Sequence, residues 1–228
     1  MRAMILAAGR GERLRPVTDR LPKPLLEIGG KPLLARHLER LAAAGFREVI
    51  INVSHFADLI VQRMGDGTAF GLAITYSHEH QPLETAGGIA RARIRLGEDP
   101  FLLVNGDIYC ECDFARLRSR RLGQRLAHLM LVPNPAHHPQ GDFSLEAGSV
   151  GNGAGARYTY SGIAVMSPAV VDGIEPGAKA ALGPLLRTAA ANGRVGGELY
   201  QGIWQDVGTV ERLAALDALL AARHGAQG

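Results

Sequence analysis

A loop rich in glycine and in positive charge follows the first hydrophobic run of the chain. Gly9 and Gly11 can both take positive φ, which lets backbone N–H groups converge on an anion without interference from a Cβ atom. Arginine forks match pairs of phosphate oxygens, and a lysine adds a compact point charge. The basic residues of this loop are Arg10, Arg13, Arg15, Arg20 and Lys23. The composition predicts a phosphate-binding loop, although two glycines alone also fit a simple turn between a strand and a helix.

The loop matches neither of two common phosphate-binding templates. A Walker loop needs a glycine followed by lysine and Ser or Thr, whereas Gly11 precedes Glu12. The dinucleotide fingerprint needs a third glycine and a helix directly afterwards, and Pro16 ends any helix within one turn. We therefore expect a phosphate loop of another kind, in which Arg10 and Arg15 act as solvent-facing or steering charges.

Hydrophobic runs and helical patterns alternate through the first half of the chain. Apolar residues at helical spacing predict a helix over 32–44, which Pro32 can begin and Gly45 can terminate. The other predicted segments are strands 3–6, 49–53, 72–76 and 101–105 and helices 56–64 and 85–96. The last of these strands is apolar on both faces, as a central parallel strand is. It places Asp107 at the sheet edge where open α/β sheets bind ligands.

The pattern changes after Asp107. The second half is predicted to contain helices 114–121, 183–192 and 209–223 and strands 127–132, 158–166 and 195–200. Residues 133–155 are rich in Pro, His, Gly and Asn, which indicates a hairpin insertion or a mobile loop. The whole pattern predicts an α/β fold with one domain over residues 1–228. We expect it to be Rossmann-like, with a mixed, mainly parallel sheet flanked by helices and a small β insertion.

Composition argues against several classes of function. Hydrophobic residues make up 46% and charged residues 21% of the chain, and no apolar stretch approaches the roughly 18 residues of a membrane helix. The apolar segment before Gly9 is too short for a secretory signal, so we expect a cytoplasmic protein with no membrane partner. A net charge of +3 and 5% aromatic residues argue against nucleic-acid binding. Cys110 and Cys112 lack the second pair of ligands that a zinc site needs, so we expect free thiols. His137 and His138 are adjacent, and neighbouring side chains on an extended segment point apart, which argues against a shared metal.

A longer ordered pattern surrounds the glycine loop. The letters LAAGRGERLRP at 6–16 and PKPLL at 22–26 closely resemble the signature of the sugar-1-phosphate nucleotidyltransferases. In that family the first segment cradles a nucleoside triphosphate and its arginine holds the leaving pyrophosphate, while the lysine between prolines touches the phosphates at the reaction centre. The resemblance assigns these two catalytic roles to Arg13 and Lys23. The nucleotide-binding residues that it implies are Leu6, Ala8, Gly9, Gly11, Glu12, Arg13, Lys23, Gln81, Glu84, Thr85 and Gly87.

Three later stretches agree with this resemblance. They are ETAGG at 84–88, similar to the family's base-binding turn, NGD at 105–107, similar to its metal motif, and WQDVGT at 204–209, similar to the motif that supplies a second carboxylate. In the implied reaction, the phosphate of a sugar 1-phosphate attacks the α-phosphorus of a nucleoside triphosphate, and pyrophosphate leaves. The resemblance makes Asp107 and Asp206 the expected ligands of Mg²⁺, which carboxylates and substrate phosphates usually hold together. Taken singly, Asp107 also fits a turn residue and Asp206 a helix cap.

The second half of the chain is expected to bind the sugar phosphate. The resemblance makes 1–107 the nucleotide-binding half and 108–228 the sugar-phosphate-binding half. The candidate residues for the sugar phosphate are Asn105, Gly141, Asp142, Tyr160, Ser161 and Gly162. The Glu-Lys-Pro stretch that binds this phosphate in many larger relatives is missing between Gly141 and Tyr160.

The short length and the ETAGG, YSGI and WQDVGT motifs look most like the bacterial members of the family that use UTP and N-acetylmuramate 1-phosphate. The lactyl carboxylate of that sugar needs a nearby cation, for which Arg157, Arg187 and Arg194 all stay open. The first alternative is a mannose-1-phosphate guanylyltransferase or another hexose-1-phosphate nucleotidyltransferase. The mannose enzymes often read PLGTAG where this chain has PLETAG at 82–87. The second is a non-catalytic regulatory subunit, which lacks the lysine or the metal aspartate that this chain retains. A monomer and a homodimer would show the same motifs.

Overall fold

The computed structural model describes residues 1–153 and 155–225, and its elements follow the predicted alternation of strands and helices. The strands are β1 (Ala3–Leu6), β2 (Glu27–Ile28), β3 (Lys31–Pro32), β4 (Glu48–Val53), β5 (Ala73–His78), β6 (Phe101–Asn105), β7 (Ile108–Cys110), β8 (Ala127–Val132), β9 (Phe143–Glu146), β10 (Ser149–Gly151), β11 (Arg157–Met166), β12 (Val195–Leu199) and β13 (Trp204–Asp206). The helices are α1 (Leu33–Ala43), α2 (Ala57–Met64), α3 (Glu84–Leu96), α4 (Phe114–Arg118), α5 (Leu182–Ala191) and α6 (Val210–Gly225). Residues 154 and 226–228, which the single-domain prediction includes, lie outside the described residues.

A nine-stranded sheet runs through the molecule in the order β5-β4-β1-β6-β11-β8-β12-β10-β9. The first four of these strands are parallel. β11 pairs antiparallel with both β6 and β8, and β12 is parallel to β8. The predicted α/β fold with a mixed sheet is confirmed. The sheet also continues across the predicted boundary after residue 107, because β6 from one half pairs with β11 from the other.

The polar segment 133–155 contains a hairpin. β9 and β10 pair antiparallel, and β10 joins the main sheet through β12. β9 also pairs with the first residues of β11. Of the two interpretations of this segment, the hairpin insertion is the one that the structure contains; residue 154 lies outside the described residues.

Different helices cover the two faces of the sheet. Successive strand residues point to opposite faces, so Ile5 belongs to the same buried cluster as Leu38 of α1. Its neighbour Met4 belongs to the cluster of Ile89 in α3 and Leu186 in α5. Burial of each such side chain stabilises the fold by about 1.5–3 kcal/mol. The two clusters fix the helices against the sheet, which positions the loops at its edge.

Two short ribbons, which the sequence analysis did not predict, complete the fold. β2 pairs with β3, and β7 pairs antiparallel with β13 so that Asp206 lies opposite Ile108. A third buried cluster contains Leu216 of α6, Ile28 of β2 and Tyr109 of β7. The β7–β13 ribbon therefore brings the two predicted metal motifs side by side.

The helices are of ordinary length for a globular protein, and α6 has 16 residues. Within residues 1–153 and 155–225, no helix is long and apolar enough to cross a membrane.

Candidate active site

Three adjoining cavities lie at the carboxyl ends of β1 and β6. The central cavity is lined by residues that include Leu6, Ala8, Gly9, Lys23, Thr85, Asn105 and Asp107. The phosphate-side cavity is lined by residues that include Arg10, Gly11, Glu12, Arg13, Lys23, Gln81 and Asp107. The outer cavity is lined by residues that include Asn105, Asp142, Phe143, Tyr160, Leu182 and Arg187. Glu84 lines all three, so the cavities form one continuous cleft.

The glycine loop turns sharply beneath the phosphate-side cavity. Gly11 has φ 66°, and a Cβ atom there would lie 2.9 Å from the Cγ2 of Thr18. The Thr18 hydroxyl donates to the Gly11 carbonyl at 2.8 Å, which fixes this turn. Only Gly11 takes the positive φ expected for both glycines; Gly9 does not, and it faces open space where a Cβ would be. The loop continues as a 3-10 turn over Glu12–Leu14 rather than as a helix.

Lys23 and Asp107 form an ion pair at the centre of the cleft. Lys23 Nζ lies 2.5 Å from Asp107 Oδ2, and the two side chains are 10% and 40% exposed. Lys23 begins a 3-10 turn between Pro22 and Pro24, which restrict the backbone on both sides of it. A lysine this buried is rare without a partner. Its ammonium group is therefore held in one place, at the wall shared by the central and phosphate-side cavities.

Asp206 lies next to Asp107 but uses its carboxylate differently. The Val207 N–H donates to the Asp107 carbonyl at 2.8 Å, which joins the two motifs through the backbone. The carboxylate of Asp206 accepts a hydrogen bond from Arg212 at 2.6 Å and lies 3.3 Å from the ring nitrogen Nε2 of His137. The structure thus places Asp206, at the end of β13, beside the turn between β6 and β7 that carries Asp107. The side chains of Arg212 and His137 both contact the Asp206 carboxylate.

The donor set at this point can be compared with what Mg²⁺ requires. Asp107 Oδ1 accepts no hydrogen bond from any of the described residues, so one carboxylate oxygen is available in the cleft. The described residues contain no cluster of three or more His, Cys, Asp or Glu side chains that could hold a metal. Mg²⁺ does not need one, because it commonly uses one or two carboxylates, substrate phosphates and waters. The residues present fit this ion.

The predicted base-binding turn begins α3, and its residues divide between two roles. Glu84 has φ 61°, a left-handed conformation that a non-glycine residue adopts only under constraint, and it lies 3.4 Å from Lys179. Gly87 does not reach the cleft: its N–H donates to the Ala180 carbonyl at 3.1 Å. A Cβ atom on Gly87 would lie 2.3 Å from the Ala178 carbonyl oxygen. The sequence predicts that Gly87 contacts the nucleotide, but the structure packs Gly87 closely against the chain before α5 instead.

A buried polar network behind the central cavity escaped the sequence analysis. Asn52 accepts a hydrogen bond from the Ala7 N–H at 2.8 Å and donates to Glu79 at 2.7 Å. Glu79 in turn accepts from the Leu83 N–H at 3.0 Å. Both Asn52 and Glu79 line the central cavity and are at most 5% exposed. The network ties the glycine loop to the turn before α3; its only signal in the sequence is a polar asparagine inside the apolar run VIINV at 49–53.

Asp142 and Tyr160, which the sequence predicts to bind the sugar phosphate, both line the outer cavity. Asp142 accepts a hydrogen bond from the Tyr160 N–H at 2.8 Å and lies 3.1 Å from Nε2 of His138. The Tyr160 hydroxyl is buried and has no partner among the described residues. Its burial raises the pKa of Tyr160 well above the usual value, and the Asp142 carboxylate adds to this effect. Gly141, with φ 59°, packs against Asn134 and does not line the outer cavity.

Ser161 and Gly162 occupy positions that differ from the predicted sugar contacts. The Ser161 hydroxyl donates to the Met130 carbonyl at 2.7 Å inside the sheet, and Ser161 is 1% exposed. Gly162 has φ 81° at an irregularity in the pairing of β11 with β8. A Cβ atom there would lie 2.6 Å from the Asn105 side chain. Gly162 thus shapes the wall of the cleft, because it leaves the space that Asn105 occupies.

Comparison with known proteins agrees with this geometry. The profile of the nucleotidyl transferase family matches residues 2–141. The N-acetylmuramate alpha-1-phosphate uridylyltransferase of Neisseria meningitidis is 49% identical, with 97% of this chain and 99% of that protein covered. The mannose-1-phosphate guanylyltransferase catalytic subunit beta of Xenopus tropicalis is 32% identical over 91% of this chain, which spans only 61% of that protein.

A solved structure supports the fold independently. HddC from Yersinia pseudotuberculosis complexed with GMP-PN superposes with a TM-score of 0.80, over 96% of this chain and 99% of that one, at 24% identity. This likeness concerns the fold. Together with the family profile and the end-to-end match to the Neisseria protein, it gives one conclusion: the chain belongs to the nucleotidyl transferase family.

Proposed function

We propose that this protein transfers the uridylyl group of UTP to N-acetylmuramate α-1-phosphate, giving UDP-N-acetylmuramate and pyrophosphate. The ion pair of Lys23 with Asp107, at the junction of a phosphate-side and a central cavity, carries the reaction class. The choice of substrates is supported by the Neisseria relative, which matches this chain over nearly the full length of both proteins. The sequence motifs at 84–88 and 204–209 support the same choice.

In this proposal each basic group has a separate task. A phosphate oxygen of the sugar 1-phosphate attacks the α-phosphorus in line, and the bond to the pyrophosphate oxygen breaks. Lys23 is fixed at the centre of the cleft and stabilises the negative charge that develops on the α-phosphoryl group. Arg13 lines the phosphate-side cavity and binds the departing pyrophosphate. Binding both anions in one cleft aligns the attacking and leaving oxygens, and no covalent intermediate with the protein is needed.

We also propose that Asp107 and Asp206 hold a Mg²⁺ ion with the substrate phosphates. When bound, Mg²⁺ neutralises phosphate charge and helps to orient the two phosphates. Asp107 offers its unoccupied Oδ1, while Asp206 must give up part of its contact with Arg212. Activity should be lost with excess EDTA and restored by added Mg²⁺; full activity in EDTA would overturn this part of the proposal.

The second candidate is a mannose-1-phosphate guanylyltransferase, which the Xenopus relative supports. A non-catalytic regulatory role is disfavoured because Arg13, Lys23 and Asp107 line one cleft, and the backbone of Val207, next to Asp206, is bonded to that of Asp107. The partners we propose are small molecules only, UTP and a sugar 1-phosphate, with the reaction in the cytoplasm and the protein a monomer or homodimer. Neither nucleic acid nor a membrane has a place in this reaction.

Pyrophosphate release tests the proposal across a matrix of substrates. UTP, GTP, dTTP and CTP are each combined with the 1-phosphates of N-acetylmuramate, N-acetylglucosamine, glucose and mannose in the presence of Mg²⁺. We expect the highest kcat/KM for UTP with N-acetylmuramate 1-phosphate. The highest kcat/KM for GTP with mannose 1-phosphate would select the second candidate. No pyrophosphate release with any pair would favour a non-catalytic regulatory role.

A further inference from the structure

The outer cavity of the cleft ends at a cation that the mechanism above does not use. Its inner wall is shared with the central cavity through Glu84, Thr85 and Asn105. Its far wall is formed by the first turns of α5, including Gly183 and Arg187. A sugar whose 1-phosphate lies near Asn105 therefore extends toward Arg187.

Arg187 is available to a ligand. Its guanidinium lies over the ring of Phe143, 5.7 Å from the centroid, and the side chain forms no ion pair within the described residues. The two other arginines that sequence reasoning left open are committed elsewhere. Arg157 donates to the backbone carbonyls of Gln140 and Asp142, and Arg194 lies in a separate surface groove and donates to the Gln124 carbonyl.

Two further features of the residues that line this cavity leave hydrogen-bond donors without acceptors. The buried Tyr160 hydroxyl has no partner within the described residues. The N-terminus of α5 has no side-chain cap, and its first residues, Leu182 and Gly183, line the cavity. Unpaired N–H groups at a helix N-terminus favour a negative charge.

The two carboxylates of the cavity are already paired. Glu84 lies 3.4 Å from Lys179, and Asp142 accepts from the Tyr160 backbone and faces His138. Neither carboxylate neutralises Arg187. Among the residues that line the cavity, Arg187 is the Lys or Arg side chain that attracts an anionic group.

We infer that Arg187 binds an anionic substituent of the sugar, and, since this rests on the proposed function, that the substituent is the lactyl carboxylate of N-acetylmuramate. The ring of Phe143 holds the guanidinium in place and leaves its N–H groups for the carboxylate oxygens. Arg187 is then the residue that distinguishes N-acetylmuramate 1-phosphate from N-acetylglucosamine 1-phosphate, which carries the phosphate but lacks the lactyl carboxylate.

Arg187→Gln tests this assignment with Arg187→Lys and Arg95→Gln as comparisons. Arg95 is exposed on α3 and has no partner among the described residues. We expect Arg187→Gln to raise KM for N-acetylmuramate 1-phosphate about 10- to 100-fold, the usual effect of a lost charged hydrogen bond. The kinetics with N-acetylglucosamine 1-phosphate should stay within about twofold. Lysine should restore part of the loss, and Arg95→Gln should behave as the wild type. Equal losses with both sugars, or no loss, would overturn the inference.

A binding measurement separates this inference from the proposed function. Calorimetry with a non-hydrolysable UTP analogue and each sugar 1-phosphate reports affinity without turnover. Tighter binding of the N-acetylmuramate compound by the wild type, lost in Arg187→Gln, supports the assignment even where turnover favours another nucleotide. Equal affinity of the wild type for both sugars would contradict the role of Arg187, whatever reaction the enzyme performs.

Discussion

The phosphate side of the cleft and its sugar side, the part formed by the outer cavity and the adjoining stretch of β11 where we propose that the sugar binds, are built in different ways. On the phosphate side, charged side chains face the cleft directly: Lys23 reaches Asp107 at 2.5 Å, and Arg13 lines the adjacent cavity. On the sugar side, Gly162 makes room for Asn105, and Ser161 is bonded within the sheet to Met130. The motif with charged residues therefore places side chains at the wall of a cavity, whereas the motif of small residues sets the shape of the backbone.

The difference follows from the secondary structure on each side, which is 3-10 turns on the phosphate side and a paired strand on the other. Residues of the phosphate side lie in 3-10 turns after β1, outside the paired strands of the main sheet. Ser161 and Gly162 lie within the ten-residue strand β11, which pairs with both β6 and β8. Side chains there are restricted by the neighbouring strands before any ligand arrives.

The largest expected effect comes from Lys23→Ala on the phosphate side. Removal of a preorganised charge at the reacting phosphoryl group should lower kcat by about 10²–10³-fold. The matched control is Lys31→Ala. Lys31 lies outside the lining of the cleft, and its Nζ is 2.7 Å from a carboxylate oxygen of Glu39 in an exposed ion pair. Pyrophosphate release and the melting temperature should be measured for both variants. Near-normal kcat in folded Lys23→Ala would remove the assignment of Lys23.

Gly162→Ala should have the largest effect on the sugar side. The substitution combines an unfavourable backbone at φ 81° with a Cβ atom 2.6 Å from the Asn105 side chain. We expect a loss of stability of about 1–3 kcal/mol and a raised KM for the sugar phosphate, because Asn105 must move.

Gly173→Ala separates the two contributions of Gly162→Ala. Gly173 has φ 83° but open space around it, so alanine there carries only the backbone cost. Chemical denaturation gives the free energies of unfolding, and initial rates give KM. If the two variants were equally stable and kept the wild-type KM, the packing role of Gly162 would be wrong.

Sequence patterns predicted the long elements well and the short pairings poorly. α1 and β6 lie within one or two residues of their predicted bounds, because helical spacing and buried apolar runs are local signals. β7 and β13 have three residues each and pair across about 95 positions of the chain, a length at which no periodicity can be recognised. The partner of Ser161 could not be predicted either, since it depends on which strand lies beside β11.

Ser161→Ala sharpens the comparison with a smaller effect. Loss of its hydrogen bond to Met130 should cost about 0.5–1.5 kcal/mol of stability and leave KM for the sugar phosphate unchanged. Ser119→Ala is the control, because the Ser119 hydroxyl makes a similar bond to a carbonyl at 2.8 Å on the exposed end of α4. A tenfold higher KM with unchanged stability would instead restore the direct sugar contact predicted from the sequence.

The smallest effect distinguishes two arginines that sequence reasoning treats alike. Arg10 lines the phosphate-side cavity, whereas Arg15 lies 3.2 Å from Asp19 on the exposed surface, where both side chains are more than half exposed. Arg10→Gln should lower kcat/KM for UTP about three- to tenfold at low ionic strength, because a charge at the mouth of the cleft steers the anionic nucleotide. The deficit should shrink as salt is raised to about 1 M, where the Debye length falls to about 3 Å. Arg15→Gln should stay within about 1.5-fold of the wild type at every salt concentration, since an exposed, paired charge contributes little. Equal, salt-dependent deficits in both variants would show that the whole loop attracts the nucleotide. The position of Arg10 on the cavity wall would then give it no special role.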